Sequence, residues 1–232
     1  MTWLDRSIVA LDTETTGTDP ETARIITACI GLSPQPGEWE PDEYRINPGV
    51  PIPPESTAVH GIKDADVADW GDPIYELTYI RDRLELLADY SIPVVGWNLT
   101  YDLTLLDREL RRHLGADLPD GLLIIDGLVL WRRLDQQTGG RRLSQLAERH
   151  GIIFPAHDAT ADALASLRLL HILASRHDYL GEIPVAALQH LQARWYAAQV
   201  ESAYQARLGR GDTAPPPDTH WPLIPADERT PS

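Results

Sequence analysis

The sequence predicts an α/β protein built on a mixed sheet, and three observations carry that prediction. Near the N-terminus, three stretches rich in β-branched residues follow one another with turn signals between them, the pattern of an antiparallel meander. Short apolar strands then alternate with segments of helical period. The chain closes on helical segments and a tail rich in Gly, Pro and Asp. With 232 residues, 43% of them hydrophobic, it can bury one sizeable core and carry an extension.

The first strand is the apolar run Ile8 to Leu11, which leads into Asp12 and Glu14. On a strand, residues two apart point to one face, so the two carboxylates stand side by side and need a cation. Thr15-Thr16-Gly17 ends the strand with small groups that let a ligand approach the backbone. Spacing alone does not single this pair out, because Asp19-Pro20-Glu21 and Asp107-Arg108-Glu109 repeat it. The first of these reads as a turn and the second as a helix surface.

Arg24 to Leu32 reads as the second strand and Glu43 to Ile46 as the third, followed by a proline-dense surface loop from Asn47 to Pro54. Glu55 to Ile62 makes a short helical turn ended by Gly61, and Asp72 to Ala88 a helix with Ile74, Leu77, Ile80, Leu84 and Leu87 in phase. Ile92 to Trp97 is a buried strand, with Asn98 as N-cap of a helix that sets Leu103, Leu106, Leu110 and Leu114 on one face and Arg108, Arg111 and Arg112 mostly on the other. Leu122 to Asp126 is the fifth strand. Helices follow over Leu128 to Leu134, Leu143 to His150, Ala159 to His177 and Pro184 to Leu208. The expected organisation is a domain over residues 1–178, a helical extension over 179–208 and an irregular tail over 209–232.

No apolar run approaches the roughly 18 to 20 residues of a membrane span, and Met1 to Arg6 lacks a basic segment leading into an apolar one, so a cytoplasmic protein is expected. Cys29 is the only cysteine, which excludes an intramolecular disulfide and a cysteine-based zinc site. The formal charge of −15 excludes a protein that coats nucleic acid through a broad positive field. A nucleic-acid substrate gripped at one end through metal ions remains compatible with it.

Two further places hold carboxylates suited to join Asp12 and Glu14. Asp102 lies in the first turn of the helix after Asn98, where an acid is also favourable for the helix itself. Asp162 lies in the first turn of the helix that Asp158 can cap, with His157 in the loop just before; no other histidine in the chain has an aspartate five residues on. A D-x-E after the first strand, an Asp in the helix after a later strand, and H-x-x-x-x-D at a late helix start together resemble the DEDD superfamily of 3′-to-5′ exonucleases, histidine subtype, the group that includes proofreading subunits and RNase T. The resemblance covers about residues 6 to 178 in order, with accessory signals in Asp12 to Gly17, in Asn98 four residues before Asp102, and in Pro54 to Ile62. Trp97 departs from the histidine of many relatives, which implies altered packing near the site without loss of a ligand.

The resemblance implies an RNase H-like fold with a five-stranded mixed sheet flanked by helices, and a metal-dependent exonuclease releasing nucleoside monophosphates. Two Mg²⁺ or Mn²⁺ ions about 3.5 to 4 Å apart polarise the phosphate and stabilise the departing oxygen in such enzymes. In this chain Asp12 would bridge them, Glu14 and Asp162 would hold the ion that carries the attacking water, and Asp102 would act largely through water. His157 would be the general base, an ordinary histidine pKa of about 6.5 suiting that task. Thr13, His60, Asn98 and Tyr101 are the expected contacts to the terminal nucleotide. Asp126 reads as a buried, hydrogen-bonded aspartate. Arg132, Arg133, Arg141, Arg142 and Arg149 form the densest basic stretch and either guide phosphates or simply face solvent. The expected partner is a nucleic-acid 3′ end, single-stranded DNA preferred. Trp195, Tyr196 and Trp221 either pack on the domain or meet a polymerase or a second copy. A silent nucleic-acid-end or polymerase-binding module, an RNA-specific exonuclease and a nucleotide hydrolase are the competing readings.

Overall fold

The computed structural model describes residues 2–135 and 139–226, and its centre is β1 (Ile8–Thr15). On one side lies antiparallel β2 (Ile25–Ser33), then antiparallel β3 (Glu43–Arg45); on the other lie parallel β4 (Val94–Gly96) and β5 (Ile124–Asp126). The sheet order is β3-β2-β1-β4-β5, the expected mixed sheet. Ile8 to Leu11 are all but inaccessible because helices cover both faces of the strand, which explains an unbroken apolar run where a half-buried strand would alternate.

Val9 and Leu11 share one half of the core with Ala28, Ile30 and Ile46, beneath α3 (Pro73–Asp89) and α4 (Leu99–Leu114). Ile8, Ala10 and Cys29 share the other half with Leu167 and Leu170 of α7 (Ala159–Arg176). Period-two alternation therefore sends the even-numbered residues of β1 toward α7 and the odd-numbered ones toward α4. The shorter helices are α1 (Pro54–His60), α2 (Asp64–Val67), α5 (Gly127–Leu134) and α6 (Leu143–Arg149). α2 has no counterpart in the sequence reading: four residues are too few to display a period.

The last helix, α8 (Val185–Leu208), covers the outer edge of β5. The Gln192 side chain accepts from Asp126 N–H at 2.8 Å and donates to Ile124 C=O at 3.0 Å; the Gln189 side chain accepts from Ile124 N–H at 3.1 Å and donates to Leu122 C=O at 3.3 Å. Two glutamines one helical turn apart thus supply what a sixth strand would have supplied, and the sheet presents no free edge there. Trp195 packs against the α7 half of the core and Trp221 against the α4 half.

The Asp107-Arg108-Glu109 triplet, expected on a helix surface, is buried, with exposures of 1%, 6% and 1%. α4 is enclosed on more sides than its leucine stripe implies. Arg108 donates to Glu21 in the turn after β1, to Asp107, and to Ile224 C=O in the tail. Asp107 accepts from Arg111 at 2.8 Å and from Leu118 N–H at 3.1 Å, and Glu109 accepts from Ile25 N–H at 3.3 Å. The tail docks on the same helix, Ile224 N–H donating to Thr104 Oγ1 at 3.2 Å. Within the described residues this tail carries neither helix nor strand; residues 227–232 of the expected tail lie outside them.

Candidate active site

β1 outlasts its neighbour. It pairs with β4 only at Val9 and Ala10, so on that side the backbone from Asp12 to Thr15 has no adjoining strand. A Cβ on Gly96, the last residue of β4, would sit 2.5 Å from both Leu11 O and the Leu99 side chain, so glycine is what lets the chain turn there directly into α4. α4 starts on one face of the sheet and α7 on the other, and both starts lie at this end of β1. Ligand sites in open α/β sheets form at such strand ends, where the connections part to opposite faces.

Asp12 and Glu14 point to the α7 face, where Asp162 stands in the first turn of α7. Thr13 points the other way, and its hydroxyl donates to Asp102 Oδ1 at 2.6 Å, which ties the α4 carboxylate to β1. Asp158 caps α7 by accepting from Ala161 N–H at 2.9 Å. His157 sits in the left-handed region at φ +67, an uncommon conformation for a residue with a side chain, and its N–H donates to Asp162 Oδ2 at 3.3 Å. A ring nitrogen of His157 and carboxylate oxygens of Glu14 and Asp162 all lie within 4.8 Å of one another.

Burial, and then the neighbouring carboxylates Asp162 and Asp102, push Glu14 up to about 8. Asp102 and Asp162 are each raised to about 7, burial again being the first cause. Asp12 retains some exposed surface, yet burial of its carboxyl followed by Asp102, Asp162 and Glu14 holds it well above the usual carboxylate range. Four carboxylates so placed cannot all ionise by themselves. Asp162 Oδ1 is moreover buried without a hydrogen-bond donor. Crowded oxygen donors and an orphaned carboxylate oxygen fit a hard divalent cation.

These shifts set a stability trend. Without metal, the folded chain holds protons on Glu14, Asp102 and Asp162 that the unfolded chain releases near pH 4, so their stabilising contribution is complete below about pH 4 and is lost as pH rises through 7 to 8. Tm in EDTA is expected to fall between pH 5.5 and 8.5, and the increment produced by Mg²⁺ or Mn²⁺ to be larger at pH 8 than at pH 5.5, because the cation replaces the protons. Thermal denaturation with and without metal across that range checks both signs.

The remaining expected residues divide. His60 lines the same cavity of ≈ 290 Å³ as Glu14 and His157; its Nδ1 accepts from Ile62 N–H at 3.1 Å, its Nε2 is buried without a partner, and burial holds its pKa below the usual histidine range. Tyr101 spends its hydroxyl on Gly17 C=O and Thr15 Oγ1, bracing the end of β1. Asn98 occupies the N-cap position but does not cap through its side chain: it is left-handed at φ 67, and its N–H donates to Asp126 Oδ1 at 3.1 Å. Asp126 also accepts from Leu128 and Val129 N–H, the buried hydrogen-bonded aspartate the sequence suggests. Trp97 donates to Arg141 C=O at 3.1 Å and anchors the segment before α6. None of the five clustered arginines lines the cavity of Glu14 and His157.

A family model described as exonuclease, of the RNase T type, matches residues 9–170. A DNA polymerase III subunit epsilon-like protein of Rhodobacter capsulatus is 33% identical over 181 residues, covering 73% of this chain and 24% of its own length. A DNA polymerase III PolC-type protein of Lacticaseibacillus paracasei is 26% identical over 207 residues, covering 88% of this chain and 13% of its own. The chain thus spans about a quarter or less of these relatives. Exonuclease I of E. coli in complex with a dT13 oligonucleotide shares the fold, with a TM-score of 0.67 at 19% identity over 83% of this chain and 46% of that one. No described helix is long and apolar enough to cross a membrane. The matched segment runs from β1 to α7 and contains all four carboxylates and His157, and the chain belongs to the RNase T-type exonuclease family.

Proposed function

We propose that this chain is a histidine-subtype 3′-to-5′ exonuclease that removes nucleoside monophosphates from single-stranded DNA. The observation that carries the proposal is the convergence of Asp12, Glu14, Asp102 and Asp162 at one strand end, with the His157 ring within reach of Glu14 and Asp162. Asp12, between the other three carboxylates, Glu14 and Asp162 on the α7 side and Asp102 on the α4 side would hold two Mg²⁺ or Mn²⁺ ions. When bound, the ions neutralise the phosphodiester and stabilise the departing alkoxide.

The chain's own groups do the rest. A His157 ring nitrogen takes the proton of the attacking water, and its exposed loop position lets that proton pass to solvent. Thr13 holds Asp102 in place through its hydroxyl, leaving the strand end to meet the terminal nucleotide together with His60, Tyr101 and Asn98. Oligonucleotide complexes of E. coli exonuclease I, with dA16 and with dT13, support a single-stranded substrate.

Incubation with 3′-labelled single-stranded DNA and RNA in Mg²⁺, Mn²⁺ or EDTA tests the proposal. The expected result is metal-dependent release of the label as a mononucleotide, faster from DNA. No shortening of either strand in any metal overturns the activity, and faster release from RNA overturns the substrate.

A further inference from the structure

The cavity that holds Glu14 and His157 continues across β2 to β3, where its wall carries Arg45 and Trp70. Sheet register explains the layout. Glu14 stands opposite Thr27, and Thr27 opposite Arg45, so the three side chains form one row on the α7 face. Two strand spacings separate the backbones of Arg45 and Glu14 by about 10 Å. A long side chain at that distance reaches a group next to the reacting one rather than the reacting one itself.

The Arg45 guanidinium lies 5.8 Å from the Trp70 ring centroid, a contact that orients the planar head while leaving its N–H donors available. Its ion-pair partner among the described residues is Glu43 at 3.6 Å, with the two side chains 65% and 45% exposed, a pairing that holds weakly in water. Glu43 has a firmer partner in Thr160, whose hydroxyl donates to it at 2.7 Å. Arg45 is the one arginine or lysine among the residues lining this cavity, in a chain whose formal charge of −15 repels a polyanion. Arg132 and Arg133 line a different groove, with Trp195 and α8.

On the exonuclease reading, we infer that Arg45, oriented by Trp70, holds a second phosphate of the strand being degraded, distinct from the scissile one. The carboxylate site would anchor the strand end with the help of bound metal, and the Arg45 guanidinium adds an anchor that only a polynucleotide can use. The subsite makes the enzyme favour a strand over a compound with a single phosphate.

Binding separates this inference from the activity. Tetrathymidylate and thymidine 5′-monophosphate are titrated against the parent protein and Arg45→Ala in Ca²⁺. The variant is expected to bind the tetranucleotide about tenfold more weakly, the loss of one charge-assisted contact. Binding of the monophosphate stays within about twofold, and the salt slope for the tetranucleotide drops by about 0.7, the share of one single-strand phosphate. Arg45→Lys recovers part of the affinity because it keeps the charge without the oriented fork. Unchanged tetranucleotide binding, or equal weakening for both ligands, overturns the subsite. If the parent binds tetrathymidylate through Arg45 yet never shortens it in Mg²⁺, the exonuclease reading fails and the subsite stands. If it shortens DNA while Arg45→Ala binds like the parent, the reverse holds.

Discussion

Asp12→Asn is expected to lower metal-dependent strand cleavage by at least about a thousandfold while making the metal-free protein more stable. On the proposed metal-dependent reading, the first effect follows from losing a charged group that would serve as a ligand on both sides of the site, since metal-assisted charge stabilisation is worth several kcal/mol and each 1.4 kcal/mol is about tenfold in rate. The second follows from the crowding that holds Asp12 well above the usual carboxylate range: burial first, then Asp102, Asp162 and Glu14. An amide of the same shape is neutral without holding a proton that the unfolded chain releases near pH 4. At pH 8 in EDTA the relief is on the order of 1 kcal/mol, or about 2 to 4 °C in Tm for a domain of this size. The same variant should lose most of the Tm rise that Mg²⁺ gives the parent. Cleavage at the parent rate would remove Asp12 from the centre of the site. A fall in both activity and metal-free Tm would make it a residue of the fold instead.

The sheet and the placement of the candidate carboxylates are legible in the sequence for the same reason: both depend on local pattern. The run Ile8 to Leu11 announces a strand buried on two faces, and Asp12 and Glu14 inherit their shared direction from the period of that strand. Asp158 and Asp162 are readable because a capping aspartate and a first-turn acid mark a helix start wherever they occur. What the sequence does not display depends on distant partners. Three consecutive charges on α4 read as surface because the leucine stripe gives only one buried face; nothing local says that Glu21 and the Ile224 carbonyl close over Arg108. Gln189 and Gln192 look like ordinary polar helix residues, and their task exists only once β5 proves to be an edge.

The row Glu14, Thr27, Arg45 is a matter of register, fixed by turn lengths and by the bulge between Glu14 and Thr15, and single residues do not advertise it. Asn98 takes the expected N-cap position for another reason than its capping side chain. Its residue type is a good N-cap, but the tight β4-to-α4 turn at Gly96 demands a left-handed residue there, and asparagine is chosen for tolerating that backbone rather than for its capping oxygen.

His157 is held in the left-handed region, where glycine is more at ease than any residue with a side chain, and the substitution that tests its role exploits this. A residue with a Cβ costs about 1 to 2 kcal/mol in that conformation, whereas glycine is at ease in it and loses instead about 0.5 to 1 kcal/mol through its freer unfolded chain. His157→Gly is therefore expected to be no less stable than the parent. Its N–H can still donate to Asp162, so the Tm rise produced by Mg²⁺ should persist. Turnover is nonetheless expected to fall by about 10² to 10⁴, the range for loss of a positioned general base. Free imidazole in the medium should restore part of the rate in His157→Gly and none in Asp12→Asn, because a diffusible base replaces a missing proton acceptor but not a missing ligand. Equal loss of turnover and of metal-induced stabilisation, without imidazole rescue, would instead mean that His157 builds the site and does not act in the reaction.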